Sequence, residues 1–267
     1  MEHKLKIHNS FGFQKDIYFS EPIELWIDLL PNQPKECKRI LLMLEPEEIS
    51  GLEPIITGPW QHEFDLILTH NSEVLNKCKN AVLHEFGTCW IRDFEFNEKK
   101  YAVSTLVGGK QHTINHRLRH TLIELQDKNY DVILEFYNSV HNPYSDNTKL
   151  LKMKDGDTKK ELFNYQFHIA IENSTRDNWF SEKLIDCFQT KTIPIYLGCP
   201  NISKWFNTEG MFIVNSISDI DEVLSKITKN TYDSKLEFIN DNYERSKEFV
   251  DFGVMVENKL RKILNTN

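Results

Sequence analysis

Residues 167–198 read FHIAIENSTRDNWFSEKLIDCFQTKTIPIYLG, and this segment decides the fold. An apolar strand, a polar cluster, a helix start and a second apolar strand follow one another at residues 167–171, 172–174, 181–183 and 193–197. In open α/β sheets, the loop beyond the carboxyl end of a strand and the free N–H groups of the following helix hold phosphate groups. The segment therefore predicts a phosphate-binding loop in an α/β sheet.

The helix start within this segment carries opposite charges on neighbouring residues. Glu182 and Lys183 place a carboxylate and an ammonium group side by side. An ammonium at a helix N-terminus favours a bound anion, and a carboxylate accepts hydrogen bonds from hydroxyl groups. The pair could bind a diphosphate and a sugar or ribose hydroxyl together.

Size and charge limit the classes of protein to consider. The chain has 267 residues, enough for one large domain or two small ones without a disulfide or a structural metal. Its formal net charge is −8, whereas nucleic-acid binding needs a concentrated basic face. The longest unbroken apolar run, residues 40–44, is far short of the roughly 20 residues of a membrane span. We therefore expect a soluble chain with no nucleic-acid partner and no membrane span.

The cysteines and the N-terminus indicate the compartment. Five cysteines form an odd set with no Cys-x-x-Cys pair, which is typical of reduced core thiols. The N-terminal residues MEHKLKIHNSFGF lack the apolar stretch of a signal peptide. Together these features predict a cytoplasmic location.

Two α/β blocks follow one another along the chain. The first has predicted strands at residues 39–44, 64–69 and 81–84 and a helix at 72–79. The composition turns polar at residues 97–100, after which strands are predicted at 101–106 and 131–136, helices at 116–125 and 159–163, and a loop at 138–157. After the opening segment, a helix is predicted at 219–227, started by Ser218 or Asp219, and the chain is helical from about residue 234.

These blocks predict an α/β fold of two Rossmann-type domains. We expect an N-terminal domain over residues 1–98, a second domain over 99–245, and a terminal helix over 246–267 that returns to the first domain. Ligands of such domains bind at the carboxyl ends of the strands. The two domains are therefore expected to face each other across a ligand-binding cleft.

Four spaced motifs of the second domain closely resemble the C-terminal domain of the α1,3/4-fucosyltransferases, glycosyltransferase family 10. They are Ile171-Glu172-Asn173-Ser174, Trp179-Phe180-Ser181-Glu182-Lys183, Ile193-Pro194-Ile195-Tyr196-Leu197-Gly198 and Phe212-Ile213-Val214. The resemblance covers about residues 100–230, with Trp179 and Ser181 where the family usually has Tyr and Thr. The N-terminal domain matches only loosely.

The resemblance implies a GT-B fold, with GDP-fucose held by the second domain. It also implies inverting transfer, without a metal or other cofactor, to a hydroxyl of an oligosaccharide or glycoconjugate acceptor. Two alternatives stay open: the same fold with another nucleotide-hexose as donor, and a non-catalytic module that binds a glycan or a nucleotide.

The donor-binding residues follow from the motifs and from the charge that the reaction develops. Lys183 is the first candidate for the diphosphate, and Arg119, which stays charged and can grip two phosphate oxygens, is the second. Arg117 is the alternative to Arg119. Glu182 is expected to accept hydrogen bonds from a ribose or sugar hydroxyl, and Trp179 to stack on the base or sugar. The remaining donor-binding candidates are Ser104, Glu172, Asn173, Ser174 and Ser181.

The catalytic base is expected in the first domain. Glu45 directly follows the predicted strand at residues 39–44, at its carboxyl end. The family's catalytic carboxylate has a comparable position in a Gly-Glu-Asn context, which here reads Leu44-Glu45-Pro46. Glu47 and Glu48 are the alternatives.

Metal-binding patterns are weak in this chain. Asp155-Gly156-Asp157 and Asp219-Ile220-Asp221 match Asp-x-Asp, but a polar turn and a helix start explain them equally well. His112, His116 and His120 recur at every fourth residue without a Glu or Cys to complete a ligand set. We expect no metal site. The flexible Gly108-Gly109-Lys110 loop lacks the spacing of a nucleotide-triphosphate motif but could still touch the diphosphate.

Overall fold

The computed structural model describes residues 2–9, 13, 16–139, 149–153 and 158–264. Contacts within the chain divide it into two compact units. Unit 1 comprises the described residues of Met1–Gly87, Arg176–Trp179 and Asp251–Asn267, and unit 2 those of Thr88–Thr175 and Phe180–Val250. Each unit is built around one parallel sheet.

Unit 1 contains seven strands among its described residues. They are β1 (His3–Lys4), β2 (Lys6–His8), β3 (Tyr18–Phe19), β4 (Ile23–Ile27), β5 (Lys38–Met43), β6 (Leu66–Thr69) and β7 (Ala81–Leu83). Five of these strands form a parallel sheet in the order β2-β4-β5-β6-β7, and β1 pairs with β3 in antiparallel fashion. The helices of this unit are α1 (Glu47–Ser50), α2 (Glu53–Ile56), α3 (Ser72–Lys77) and α9 (Phe252–Leu264).

The order of the strands explains why α9 packs on unit 1. From β4 onward each strand lies beside the one before it in the chain, and crossovers between parallel strands are right-handed, so the crossovers cover one face of the sheet. On that face Ile56 of α2 and Val74 of α3 pack against Leu41. The other face would expose apolar side chains, and Val256 and Leu260 of α9 cover it.

Unit 2 has a six-stranded parallel sheet in the order β10-β9-β8-β11-β12-β13. Its strands are β8 (Lys100–Val107), β9 (Ile133–Asn138), β10 (Leu151–Lys152), β11 (Tyr165–Ile171), β12 (Ile193–Leu197) and β13 (Phe212–Ile213). Its helices are α4 (Ile114–Thr121), α5 (Glu182–Gln189), α6 (Ile217–Lys226), α7 (Lys229–Ser234) and α8 (Leu236–Ser246).

The strand order of unit 2 reverses direction once. The chain runs outward from β8 through β9 to β10 and then returns to add β11 on the other side of β8. This reversal is a topological switch point, where loops diverge and leave a crevice at the carboxyl ends of the strands. The ligand site of unit 2 is therefore expected beyond the carboxyl ends of β8 and β11.

The structure corrects three local predictions. The strand β4 was not predicted, because Glu24 interrupts its apolar pattern; in the structure Glu24 is buried and accepts hydrogen bonds from Lys6 and Trp26. The helix predicted at 116–125 begins at Ile114 and continues after Thr121 as a 3₁₀ turn. Helix α6 is capped by Ser216 rather than by Ser218 or Asp219.

Part of the predicted loop at residues 138–157 is a strand, β10, and residues 140–148 and 154–157 lie outside the described part of the chain.

Four of the five cysteines are buried, and Cys37 is half-buried. Among the residues that the structure describes, no helix is both long enough and apolar enough to cross a bilayer.

Candidate functional site

Two helices of unit 2 begin at its topological switch point. Helix α4 follows β8 and is capped by Thr113, whose side chain accepts the N–H of His116 while the His116 ring accepts the N–H of Thr113. Helix α5 follows β11 and is capped by Ser181, which accepts the N–H of Lys183. Both N-termini carry partial positive charge, so this edge of the sheet favours a bound anion.

Hydrogen bonds fasten the loop after β11 to α4. Thr113 donates through Oγ1 to the carbonyl oxygen of Asn173 at 2.5 Å. Arg119 donates through Nε and Nη2 to the carbonyl oxygen of Ile171 at 3.0 and 2.6 Å, and through Nη2 to Oδ1 of Asn173 at 2.8 Å. The sequence predicted Asn173 and Arg119 as separate ligand contacts, and the structure brings them together.

The two arginines of α4 have different surroundings. Arg119 is half-buried at the end of β11, whereas Arg117 is exposed and donates to the carbonyl oxygens of Gln111 and His112. Burial lowers the pKa of Arg119, and the nearby charges of Glu172 and Glu182 oppose that shift. Arg119 thus contacts the loop after β11, and its preference over Arg117 as the phosphate ligand stays a prediction.

Lys183 lies among two carboxylates and a hydroxyl group. Its Nζ is 2.9 Å from Oε1 of Glu182, 3.2 Å from Oγ of Ser181 and 3.8 Å from Oε2 of Glu172. Ser181 in turn donates to Glu172 through its backbone N–H at 2.8 Å and its hydroxyl at 2.6 Å. The buried Glu172 therefore fixes the start of α5 and the direction of the Lys183 side chain.

The two carboxylates beside Lys183 respond differently to their surroundings. Burial raises the pKa of Glu172, although Lys183 and Ser181 oppose that shift. Burial also opposes ionisation of Glu182, but attraction by Lys183 and a hydrogen bond from it hold the pKa of Glu182 below its usual value. Glu182 is thus the anionic partner of Lys183.

Several cations of unit 2 act on the pKa of His116. Burial lowers the pKa of His116 to about 4, and the charges of Arg119, Lys110 and Lys183 lower it as well. The side chains of Arg119 and Lys183 thus share one electrostatic environment, since both act on His116 and on Glu172. That these two cations bind one diphosphate stays a prediction.

Two predicted donor-binding residues lie elsewhere. Trp179 belongs to unit 1, is 1% exposed, and donates its indole N–H to the carbonyl oxygen of Leu44 at 2.8 Å, so it has no free face on which a base or sugar can stack. Ser104 lies in the middle of β8, donates to the carbonyl oxygen of Leu162 and is 2.7 Å from Nδ1 of His168. Its hydroxyl is thus used inside the fold. Ser174 is buried in the loop after β11.

Unit 1 carries a row of titratable residues at the carboxyl edge of its sheet. Asp28, His70 and His84 directly follow β4, β6 and β7, and Glu45 lies two residues after β5. These strands are neighbours, so the four side chains start from adjacent positions. The sequence predicted only Glu45. The signal that could have found the others is a titratable residue placed directly after an apolar run.

The candidates for the base differ in what they contact. Glu47 accepts the backbone N–H of Glu53 at 2.7 Å at the start of α2, and Glu48 forms an exposed ion pair of 2.7 Å with Arg176. Glu45 is half-buried within the row of titratable residues. That Glu45 rather than Glu47 or Glu48 is the base stays a prediction.

The aspartates of the second Asp-x-Asp pattern have partners within the fold. Asp219 accepts the backbone N–H of Asn215, and Asp221 binds Lys128 and Tyr130. Asp155-Gly156-Asp157 lies outside the described residues. In the described part of the chain, no three His, Cys, Asp or Glu side chains are grouped so that they could hold a metal ion.

Comparisons with known proteins place this geometry in a family. The family described as "Glycosyltransferase family 10 (fucosyltransferase) C-term" matches residues 97–238. The alpha-(1,3)-fucosyltransferase FucT of Helicobacter pylori is 31% identical over 90 residues, which are 34% of this chain and 19% of that protein. The GDP-fucose protein O-fucosyltransferase 3 of Danio rerio is 27% identical over 113 residues, 41% of this chain and 24% of that protein. The matched regions thus span about a fifth to a quarter of these relatives.

Solved structures share the fold at low identity. An alpha1,3-fucosyltransferase solved with GDP-fucose aligns with a TM-score of 0.53 at 16% identity, over 91% of this chain and 77% of that one. TarM aligns with a TM-score of 0.63 at 10% identity, over 90% of this chain and 54% of that one. Because the family match covers more than half of the sequence, the chain belongs to glycosyltransferase family 10, the fucosyltransferase family, and its two Rossmann-like units have the GT-B fold.

Proposed function

We propose that this chain is an inverting glycosyltransferase that moves fucose from GDP-fucose to a hydroxyl of an oligosaccharide or glycoconjugate. The observation that carries the proposal is the loop after β11, where Arg119 donates to the carbonyl oxygen of Ile171 and Lys183 lies in the first turn of α5 beside the carboxylates of Glu172 and Glu182. Membership in the fucosyltransferase family and the similarity to two proteins named for fucose transfer support the choice of sugar.

The proposed reaction is a single displacement at the anomeric carbon. The acceptor oxygen forms the new bond to C1 of fucose while its proton passes to the carboxylate of Glu45. The bond between C1 and the phosphate oxygen breaks, GDP leaves with the electron pair, and the configuration at C1 inverts. Arg119 and Lys183 stabilise the negative charge that grows on the diphosphate as that bond breaks.

The other residues of the proposed site bind a hydroxyl group of the donor or position a neighbouring residue. Glu182 is proposed to accept hydrogen bonds from a ribose or fucose hydroxyl, and Asn173 to position Arg119 through their 2.8 Å hydrogen bond. Glu172 and Ser181 position the start of α5. We propose that no metal takes part, because the two cations and the helix N-termini can neutralise the diphosphate.

The donor sugar decides between the first proposal and its nearest alternative, transfer from another nucleotide-hexose. A pocket distinguishes one methyl group by only ~1–3 kcal/mol, so the donors must be compared directly. Release of GDP or UDP is measured with GDP-fucose, GDP-mannose and UDP-glucose under identical conditions. Fastest turnover of GDP-fucose supports the proposal, and faster turnover of another donor replaces fucose by that sugar.

The same assay tests whether the chain is an enzyme or a binding module. Glu45→Gln should bind GDP like the unmodified chain and lose transfer, because the amide cannot accept the acceptor proton. Absence of turnover in the unmodified chain with every donor and with a panel of oligosaccharide acceptors would favour the non-catalytic module.

The cytoplasmic location stays a prediction from the cysteines.

A further inference from the structure

The peptide that carries Glu45 is held from two sides within unit 1. The carboxylate of Asp28 accepts the backbone N–H of Leu44 at 2.8 Å and that of Glu45 at 3.1 Å. The indole N–H of Trp179 donates to the carbonyl oxygen of Leu44 at 2.8 Å. Three polar backbone groups next to the Glu45 side chain are thus fixed by two side chains distant in sequence.

Both holding groups are themselves anchored. Asp28 directly follows β4, its own N–H donates to the carbonyl oxygen of Leu42 at 3.0 Å, and its φ is 49°. This left-handed conformation is uncommon for a residue other than glycine and marks a turn that its surroundings impose. Trp179 is 1% exposed in the apolar cluster that also contains Leu42, Leu44 and Phe252.

Several titratable and charged residues lie near the Leu44–Glu45 peptide. His70, at the end of β6, lies 6.2 Å from the Trp179 ring between ring centroids. Burial lowers the pKa of His70 to about 4, so its ring is neutral near pH 7. Burial raises the pKa of Asp28 to about 7, and the charge of Glu45 adds to that shift. Glu48 and Arg176 form an exposed ion pair of 2.7 Å, and the charges of both act on His70.

We propose that Asp28 and Trp179 are positioning residues for the base, fixing the Leu44–Glu45 peptide so that the carboxylate of Glu45 meets the acceptor hydroxyl. This inference rests on the proposed function, in which Glu45 takes the acceptor proton. Neither residue touches the substrate. Their effect is geometric, and misplacing a catalytic group by about 1 Å costs on the order of 100-fold in rate.

Asp28→Asn is the first test. Asn keeps the size of Asp and tolerates a positive φ, but its NH₂ group would face one of the two backbone N–H groups. We expect kcat for fucose transfer to fall about 10- to 100-fold, with the KM for GDP-fucose and the Kd for GDP within twofold of the unmodified chain. The matched control is Asp65→Asn, which removes a similar acceptor of a backbone N–H, that of Arg39, at the other end of β5. It should leave kcat within about twofold.

To distinguish a positioning role of Asp28 from a purely structural one, Asp28→Asn is also made in a chain that lacks the base. In a Glu45→Gln background, Asp28→Asn should cause no further loss of the residual turnover, because no base is left to position. An equal loss in both backgrounds would overturn the proposal. Trp179→Phe removes the hydrogen bond to the carbonyl oxygen of Leu44, and Trp60→Phe is its control. This pair of variants tests the positioning role if Asp28→Asn does not fold.

The outcomes distinguish this inference from the proposed function. If Glu45→Gln keeps its kcat, Glu45 is not the base and the proposed mechanism is wrong. If Glu45→Gln loses turnover while Asp28→Asn and Trp179→Phe keep theirs, the base is correct and the positioning role is wrong.

Discussion

At the scale of single residues, the phosphate ligand can be tested with two neighbouring arginines. Arg119→Lys keeps the charge but cannot reproduce three hydrogen bonds from one guanidinium group to Ile171 and Asn173. We expect kcat/KM for GDP-fucose to fall on the order of 100-fold, or about 3 kcal/mol. Arg117→Lys, on the exposed face of the same helix, should leave kcat/KM within threefold. A larger loss for Arg117→Lys would reverse the assignment.

A second residue-scale prediction concerns Gly198, which follows β12. A Cβ atom here would lie 2.5 Å from Cγ of Glu172 and would also overlap the Tyr196 hydroxyl. Gly198→Ala should therefore displace Glu172, weaken GDP binding about tenfold and lower the melting temperature by several degrees. Gly108→Ala, whose Cβ would have no atom within 4 Å, is the control for thermal stability. Thermal unfolding compares the two variants, and titration with GDP compares Gly198→Ala with the unmodified chain.

Within the segment at residues 167–198, the residues whose partners lie in the same segment could be grouped from the sequence, whereas a residue held by a distant partner could not. Lys183, Glu182 and Glu172 belong to one strand–loop–helix segment, so the local pattern was enough to group them. Trp179 follows the same pattern, but its partner is Leu44, 135 positions away, and no spacing in the sequence shows that contact. Asp28 was missed because the strand before it contains the charged Glu24.

At the scale of elements, Asp186 attaches the segment after residue 88 to helix α5. Its buried carboxylate accepts the backbone N–H groups of Trp90 at 2.7 Å and Ile91 at 3.2 Å. Burial raises the pKa of Asp186 from 3.8 to about 7, and the charge of Glu182 adds to that shift. The raised value means that the folded chain holds this proton more tightly than the unfolded chain does.

This shift predicts a pH dependence of stability with a definite sign. The contribution of Asp186 is most favourable below about pH 4, declines as the pH rises toward 7, and is constant above that. Asp186→Asn removes this dependence. The free energy of unfolding of the unmodified chain, relative to the variant, should fall by about 4 kcal/mol at most between pH 4 and 8. Urea unfolding at several pH values measures it, and a constant difference would show that Asp186 does not titrate in this range.

At the scale of the whole molecule, the two units differed in how far the sequence could predict them. Four of the six described strands of unit 2, β8, β9, β11 and β12, were predicted to within a few residues, whereas β10 lies in a predicted loop. Unit 1 is assembled from three separate parts of the chain, and its sheet needs α9 to cover one face. The apolar pattern of α9 predicts a helix, but only the order of the strands explains where the helix packs.

The central claim is that unit 2 binds the diphosphate of a GDP-sugar through Arg119 and Lys183. Calorimetric titration of GDP tests it most directly, on the unmodified chain and on Lys183→Met combined with Arg119→Met, with UDP as the comparison nucleotide. We expect saturable binding of GDP, weaker binding of UDP, and at least a 100-fold loss of GDP affinity in the double variant while its circular dichroism spectrum is unchanged. Equal GDP affinity in the folded double variant, or no GDP binding by the unmodified chain, would show that these two cations do not hold the diphosphate.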